Sequence, residues 1–461
     1  MRRSSLTASG SLLAFVAFGL LMSAGACGGT TPKAKTAGIA GTSTGAMPAT
    51  TASNSQGQTI GVSAAAAGDS ELTGAAKDAY AQGFAAWAAG DLAGAKAAFM
   101  DAASKAPSAG GPRYSLGCVD ERLGDTQGAL DAYRASYTAN PKYEFGMGAY
   151  ALLLARSGHG SDAEQFLTSK GASDSVRLTT YLAEVKSIEG DSPGCQTLAQ
   201  QALTKQPDFK DAMVVIARDF YRAHKYDLAN YALQAILDGS DDGSIPPRDK
   251  NNADAMLLRA LIEREQGDRK DALVNFDQAS KTRPDLFEAY INLGEMKLEA
   301  GNAGEAQAPL EKAIKYSPNS AVAHLDLGDC YRLLGRAGDA KAEFDKVKSM
   351  DSTLAGVHYD LGLLYLFSPN VPGATGQDDQ LAKAITELQA FQSMRNAKVK
   401  GPGDDVDDLI STAKRKQSEL QFKAQAAAAA ASASAAAAAA SASAAAAPAG
   451  SAPPAGSAPS P

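Results

Sequence analysis

The stretch AYINLGEMKLEAGNAGEAQAPLEKAIKYSP, residues 289–318, reads as two helices joined by a tight turn. Its apolar and polar groups alternate at helical spacing. Gly294 and Ala306 are small where the two helices would cross, and Leu293, Leu310 and Ala313 fill the seam between them. Gly301 ends the first helix, where a left-handed residue is needed, and Pro318 stops the second. The same punctuation returns every 34 residues, at Gly267, Gly301 and Gly335, at Ala272, Ala306 and Ala340, and at Pro284 and Pro318. Upstream the beat is kept by Gly90 and Gly124, Ala95 and Ala129, and Pro107 and Pro141. A repeat of this length is one supersecondary unit that buries its core only by stacking on its neighbours.

The spacing resembles the tetratricopeptide repeat over about residues 76–395, in nine units. Unit 1 carries it on Gly83, Gly90, Ala95, Phe99, Ala102 and Pro107, and unit 2 on Leu116, Gly117, Gly124, Ala129, Tyr133 and Pro141. Unit 6 uses Ala260, Gly267, Ala272, Phe276, Ala279 and Pro284, and unit 8 uses Gly328, Tyr331, Gly335, Ala340 and Phe344. Some units depart from the pattern. Unit 3 is short by two residues, Cys195 stands for the small alanine of unit 4, His224 replaces the turn glycine of unit 5, and unit 9 has an extra loop near Ser368. The resemblance implies an all-α fold, a right-handed superhelix of helix-turn-helix units with disordered ends. Units 1–5 are expected over residues 71–241, an inter-subdomain loop over 242–252 and units 6–9 over 253–397. A capping helix is expected over 398–423, with Val406, Leu409, Ile410, Ala413 and Leu420 as its apolar stripe, because a terminal unit needs a cover with a polar outer face. Residues 424–461 are a low-complexity Ala/Ser/Pro tail whose alanine run can extend that helix.

In such repeats the first helix of each unit lines a concave groove. Carried over position by position, the resemblance nominates Tyr80, Phe84 and Trp87 in unit 1, and Arg218, Tyr221 and Arg222 in unit 5. It nominates Asp254, Leu261 and Arg264 in unit 6, and Glu288, Ile291, Glu295 and Glu299 in unit 7. Leu325, Asp329 and Arg332 follow in unit 8, then Tyr359, Leu363 and Phe367 in unit 9. For the unit 1 aromatics, packing beneath the segment before them is the preferred reading over groove contact. Mixed acidic, basic and apolar groups suit a protein or peptide partner better than a small molecule. The Lys/Asn clamp of the chaperone-tail binders is not matched.

Composition supports helix packing over a β-rich core: aromatics are 7% of the 461 residues. Net charge is −7, and no basic block points to nucleic acid. Cys118, Cys195 and Cys330 are far apart and odd in number, so buried free thiols are expected rather than a disulfide framework.

Before the repeats stand Arg2 and Arg3, an apolar run over residues 12–22, and then SAGACGGT, residues 23–30. The run is short for a membrane span and suits a signal-peptide core, residues 1–26. Small residues leading into Cys27 resemble the lipobox of bacterial lipoproteins, in which the cysteine takes a diacylglycerol and an acyl chain. Ala24 stands where that motif usually has Leu, so a plain secretory cleavage near Ala24 or Ala26 is the other reading. Residues 27–70, rich in Gly, Thr, Ser and Ala, cannot bury enough apolar surface to fold and are expected to be a disordered tether. Gly28 is not the Asp that retains many lipoproteins at the inner membrane, so the resemblance implies the outer membrane, facing the periplasm.

Asp238, Ser240, Asp242, Gly243, Ile245 and Asp249 fit a calcium-loop spacing, although Pro246 and Pro247 stiffen its exit. A polar linker between two subdomains is the preferred reading of this loop. His324 and His358 are 34 apart and read as packing rungs before a metal pair. With no phosphate loop, zinc spacing or nucleophile elbow, the expectation is a non-enzymatic adaptor that binds envelope proteins or their segments, with no small-molecule substrate and no cofactor beyond the lipid. The tail and the GPGDDVDDL segment, residues 401–409, resemble gliding-motility lipoproteins of myxobacterial type, which implies a motility or secretion machine. An adaptor for a cell-wall hydrolase or for outer-membrane assembly is the alternative.

Overall fold

Glycine and aspartate set the start of the early helices. After each turn glycine, GDLAG, GDTQG and GDSPG place Asp91, Asp125 and Asp191 at helix N-caps. Their carboxylates accept the backbone N–H groups of Gly94 (2.8 Å), Gly128 (2.8 Å) and Gly194 (3.0 Å), satisfying donors that a helix start leaves unpaired. The structure is a computed structural model that describes residues 51–53, 59–61, 72–240, 243–394 and 405–445.

Nineteen helices are found among the described residues, and eighteen of them pair into nine units. Units 1–3 are α1 (Gly74–Ala88) with α2 (Leu92–Lys105), α3 (Gly111–Arg122) with α4 (Thr126–Ala139), and α5 (Glu144–Arg156) with α6 (Gly160–Ser169). Units 4–6 are α7 (Val176–Ile188) with α8 (Ser192–Lys205), α9 (Lys210–Arg222) with α10 (Tyr226–Leu237), and α11 (Ala253–Gln266) with α12 (Arg269–Thr282). Units 7–9 are α13 (Phe287–Glu299) with α14 (Ala303–Tyr316), α15 (Ala321–Leu333) with α16 (Ala337–Met350), and α17 (Gly356–Phe367) with α18 (Gln377–Met394). The last helix, α19, spans Val406–Ala445.

From unit 2 onward the first helix of a unit is the more deeply packed. In α13, eight of thirteen residues are buried, against five of fourteen in α14. The crossing inside a unit depends on absent side chains. A Cβ on Gly294 would lie 2.4 Å from Leu310, and one on Gly328 would lie 2.4 Å from Phe344. Gly328→Val is therefore expected to cost about 1–3 kcal/mol by overpacking, read as a lower denaturation midpoint. An unchanged midpoint would show that the crossing tolerates the extra methyls.

Gly301 takes φ +78° in its turn, and Gly90, Gly124, Gly158, Gly190, Gly267 and Gly335 do likewise in theirs. His224 keeps that geometry at φ 56°, with its Nδ1 2.9 Å from the Tyr226 hydroxyl. The turn is thus conserved in shape where its glycine is lost. The short unit 3 shows as a ten-residue α6. In unit 9, buried Gln380 holds the extra loop: it accepts the Val371 N–H at 3.0 Å and donates to the carbonyls of Tyr365 (2.9 Å) and Ser368 (2.6 Å).

The start of α19 covers unit 9. Val406, Leu409, Ile410 and Ala413 are buried against the cluster of Val357, Leu361, Leu388 and Phe391, and the Tyr359 hydroxyl donates to Asp405 at 2.9 Å. The helix continues past residue 423 through the alanine run, as alanine's helix propensity allows. Within the expected tether a short antiparallel pair joins Thr51–Ser53 to Thr59–Gly61, an element the helical reading did not include. The leader, Cys27 and residues 395–404 lie outside the described residues. Among those described, no helix is long and apolar enough to cross a membrane.

Candidate interaction surface

Units 1 and 2 do not stand apart from the later ones. The indole N–H of Trp87 donates to Asp285 Oδ2 at 3.1 Å. The guanidinium of Arg122 lies 5.7 Å from the Trp87 ring and 4.4 Å from the Phe287 ring, a cation–π arrangement. The Tyr316 hydroxyl donates to the Ala88 carbonyl at 3.1 Å, and Asn319 donates to the Leu123 carbonyl. The turns of units 1 and 2 thus dock on the ends of unit 7, and one turn of the superhelix closes over about six units.

Phe84, Trp87, Tyr221, Leu261, Glu288, Ile291, Tyr359 and Leu363 are buried. For them the groove assignment is corrected to packing: Phe84, Tyr221, Leu261, Ile291, Tyr359 and Leu363 pack among neighbouring helices, and Trp87 and Glu288 lie where units 1 and 2 meet unit 7. Trp87 is 1% exposed and reaches unit 7 through Asp285. Tyr80 is half-buried, packs edge-on against Phe84 and Phe99, and shares a 3.0 Å hydrogen bond with Ser115. Leu325 is half-buried and Phe367 is exposed, with Lys416 Nζ 5.2 Å from its ring.

Of the nominated charged residues, Arg264 pairs with Glu295 and Arg332 with Asp329, while Arg218, Arg222, Asp254 and Glu299 pair with charges that were not nominated. Glu184 receives Arg218 at 3.2 Å and Arg222 at 2.7 Å. Burial alone would raise its pKa, but the two guanidiniums outweigh this and hold it below the usual glutamate value. Arg283 reaches Asp254 at 2.8 Å, Arg264 reaches Glu295 at 2.6 Å and Asn292, Arg269 reaches Glu299 at 2.7 Å, and Arg332 reaches Asp329 at 2.6 Å. Glu288 has no hydrogen-bond partner at either carboxylate oxygen; burial raises its pKa against the pull of Arg122 and Arg283. Positional carry-over missed Glu184, Arg122, Arg283 and Asp285. Their signal was a charge at a buried position, on a first helix for Arg122 and Glu184 and in the turn before α13 for Arg283 and Asp285, visible only once the facing helix is known.

The loop read for calcium spends its donors elsewhere. Asp238 receives a forked contact from Arg259, 3.1 and 2.5 Å. Asp249 lies 3.4 Å from Lys210 and accepts the Asn251 N–H at 3.2 Å, and Ser240 accepts the Ile245 N–H at 2.8 Å. Asp242 lies outside the described residues. The two histidines pair with glutamates of the second helix of their units: His324 Nδ1 lies 2.5 Å from Glu343, and His358 Nδ1 lies 2.6 Å from Glu387. His324 Nε2 also meets the Pro318 carbonyl at 2.9 Å, so both of its nitrogens are engaged within the fold. Among the described residues, no three His, Cys, Asp or Glu side chains converge as a metal site. Cys118, Cys195 and Cys330 are free and buried. Burial pushes the Cys118 thiol up to about 12 and the Cys330 thiol up to about 11, far from thiolate chemistry.

Sequence profiles described as tetratricopeptide repeat match residues 80–144 and 297–353. These are tetratricopeptide repeats. Such repeats typically serve as non-catalytic scaffolds that bind protein partners or peptides. Among solved structures the chain is similar to PilF of Pseudomonas aeruginosa (17% identity, 48% of this chain, 97% of that one, TM-score 0.40). It is also similar to YrrB, described as a tetratricopeptide protein with an unusual peptide-binding site (16%, 43%, 92%, 0.34), and to the MamA protein (17%, 39%, 93%, 0.31). No curated protein matches the chain significantly.

Proposed function

We propose that the protein is a non-enzymatic adaptor that binds polypeptide segments of envelope proteins along the inner helices of its tetratricopeptide repeats. The observation that carries this is the run of charged side chains along successive first helices, each paired with an opposite charge within the fold. Arg222, Asp254, Arg264, Glu295, Asp329 and Arg332 keep between 12% and 29% of their side-chain surface exposed. Pairs in that state can exchange one partner for another without stripping a free charge of water, which favours specificity over raw affinity.

The setting proposed for this adaptor is the periplasmic face of the outer membrane, with Cys27 acylated and residues 28–70 as tether, within a motility or secretion machine. The positive start, the apolar run and the small residues before Cys27 support it. Intact-mass analysis of the mature chain is expected to show a diacyl- or triacyl-modified Cys27, abolished in Cys27→Ala. A free N-terminus near Ala24 or Ala26 would remove the anchor from the proposal. Affinity capture from membranes is expected to recover envelope proteins with the wild-type chain; recovery of none would remove the adaptor reading itself.

A further inference from the structure

Three positions on successive inner helices, each 34 residues from the next, carry Asn292 on α13, Asp326 on α15 and Asp360 on α17. About one helical turn further on, Glu295 and Asp329 repeat the same step. Four carboxylates, those of Glu295, Asp326, Asp329 and Asp360, therefore line one end of the inner face. The guanidiniums within their reach are Arg264 and Arg332. Arg264 is engaged by Asn292 and Glu295, and Arg332 by Asp329. That leaves Asp326 and Asp360 short of a counterion.

Their surroundings sharpen the point. Asp360 is 5% exposed and its Oδ1 has no hydrogen-bond partner; Asp326 Oδ2 is likewise buried and unpartnered. Burial first, then the neighbouring carboxylates, pushes both side chains well above the usual aspartate range. A buried carboxylate with neither cation nor donor weakens a fold, and the repeat pattern places one on each of two adjacent helices. Positions that stay costly in the unliganded chain are where a ligand's contribution is to be sought.

We propose that this carboxylate ladder is a subsite for cationic side chains, guanidinium above ammonium, of a partner polypeptide. The inference rests on the adaptor reading and names the chemistry of the segment bound. Arginine suits it because its planar fork can bridge two carboxylates at once. The rungs lie along the stacked helices without converging three ligands on one point, which suits charges spread along a chain. Packed helices lie about 8–10 Å apart, and three residues of polyproline II span about 9 Å. Basic residues three apart in an extended segment would therefore meet adjacent rungs.

The test uses the full mature chain and two fluorescein-labelled peptides, APRPPRPA and its acidic counterpart APEPPEPA, read by fluorescence anisotropy. The arginine peptide is expected to bind and the acidic one not. In the double variant Asp326→Asn with Asp360→Asn, affinity for the arginine peptide is expected to fall by about tenfold or more. The melting temperature of that variant is expected to hold or rise, because the amides keep the shape and remove two uncompensated charges. A second measurement keeps the result clear of folding effects: the arginine peptide, and not the acidic one, should raise the wild-type melting temperature. Absence of arginine-peptide binding, equal binding of both peptides, undiminished binding by the double variant, or a lower melting temperature in that variant would overturn the proposal. So would calcium stabilising the wild type in place of the peptide. Capture of an envelope partner bound through a non-basic segment would leave the adaptor reading intact while removing this one.

Discussion

Asp285→Ala is expected to lower stability by about 3–5 kcal/mol and to move the fluorescence of Trp87 to longer wavelength. The carboxylate of Asp285 takes the buried indole N–H, and its residue's carbonyl takes a long 3.5 Å contact from Arg122. Truncation leaves an orphaned indole donor and removes a carboxylate that Arg283 faces, inside the contact between units 1, 2 and 7. Trp87 is the single tryptophan of the chain, so its emission reports on this contact alone. Repeat arrays can lose cooperativity, and two probes are therefore needed. In urea, the Trp87 transition should move to lower concentration by more than the helical circular dichroism does. Asp285→Asn, which keeps an acceptor for the indole, should fall between the two. Unchanged emission and midpoint in the alanine variant would show that the closure of the superhelix contributes nothing to its stability.

Glu184→Ala is expected to be as damaging, about 3–5 kcal/mol, for the opposite reason. Here a buried anion is removed from beneath two cations, Arg218 and Arg222, whose ion pairs it forms. Its folded pKa is lowered, so its contribution is complete above the unfolded value of about 4.3 and is lost as pH falls through the lower folded value. The gap between wild type and variant should be full at neutral pH and shrink below about pH 4. Asp326 and Asp360 act the other way: their pKa values are raised, so the stability they contribute is present below their unfolded values and is lost as pH rises through the folded ones. Urea midpoints at neutral and acidic pH separate the two effects. A gap that stays constant with pH would sink the assignment of Glu184 as the anion of this cluster.

The fold was legible because its signals are steric and local. The crossing glycines, the turn glycines and the stop prolines each answer to a backbone requirement that recurs with the unit, and even His224 stayed recognisable by position. The capping stripe from Val406 to Ala413 was legible for the same reason. The interaction surface was legible only in part. Position within a unit predicts which helix faces inward, but exposure depends on how tightly the superhelix winds. Trp87 and Glu288 are buried where units 1 and 2 meet unit 7, a contact between residues nearly two hundred apart that no local period encodes. The carboxylate ladder sat in the sequence at the unit spacing, with Glu295 and Asp329 inside the carried-over set and Asp326 and Asp360 outside it.

The long last helix has a consequence of its own. From residue 421 to 442 it is exposed throughout, tied to the repeats at its start by Gln421, which donates to Asp378 at 3.1 Å. Its nucleus is already fixed where Val406 to Ala413 are packed, so the alanine run only has to propagate. At 1.5 Å per residue that exposed part measures about 33 Å. It works as a ruler with a phase. Deleting one alanine would draw whatever is joined beyond it about 1.5 Å closer and swing it about 100° around the axis, while deleting eighteen would shorten the reach by about 27 Å and restore the bearing. Function that depends on where the end of the chain points should oscillate with such deletions; function that depends only on reach should decline steadily.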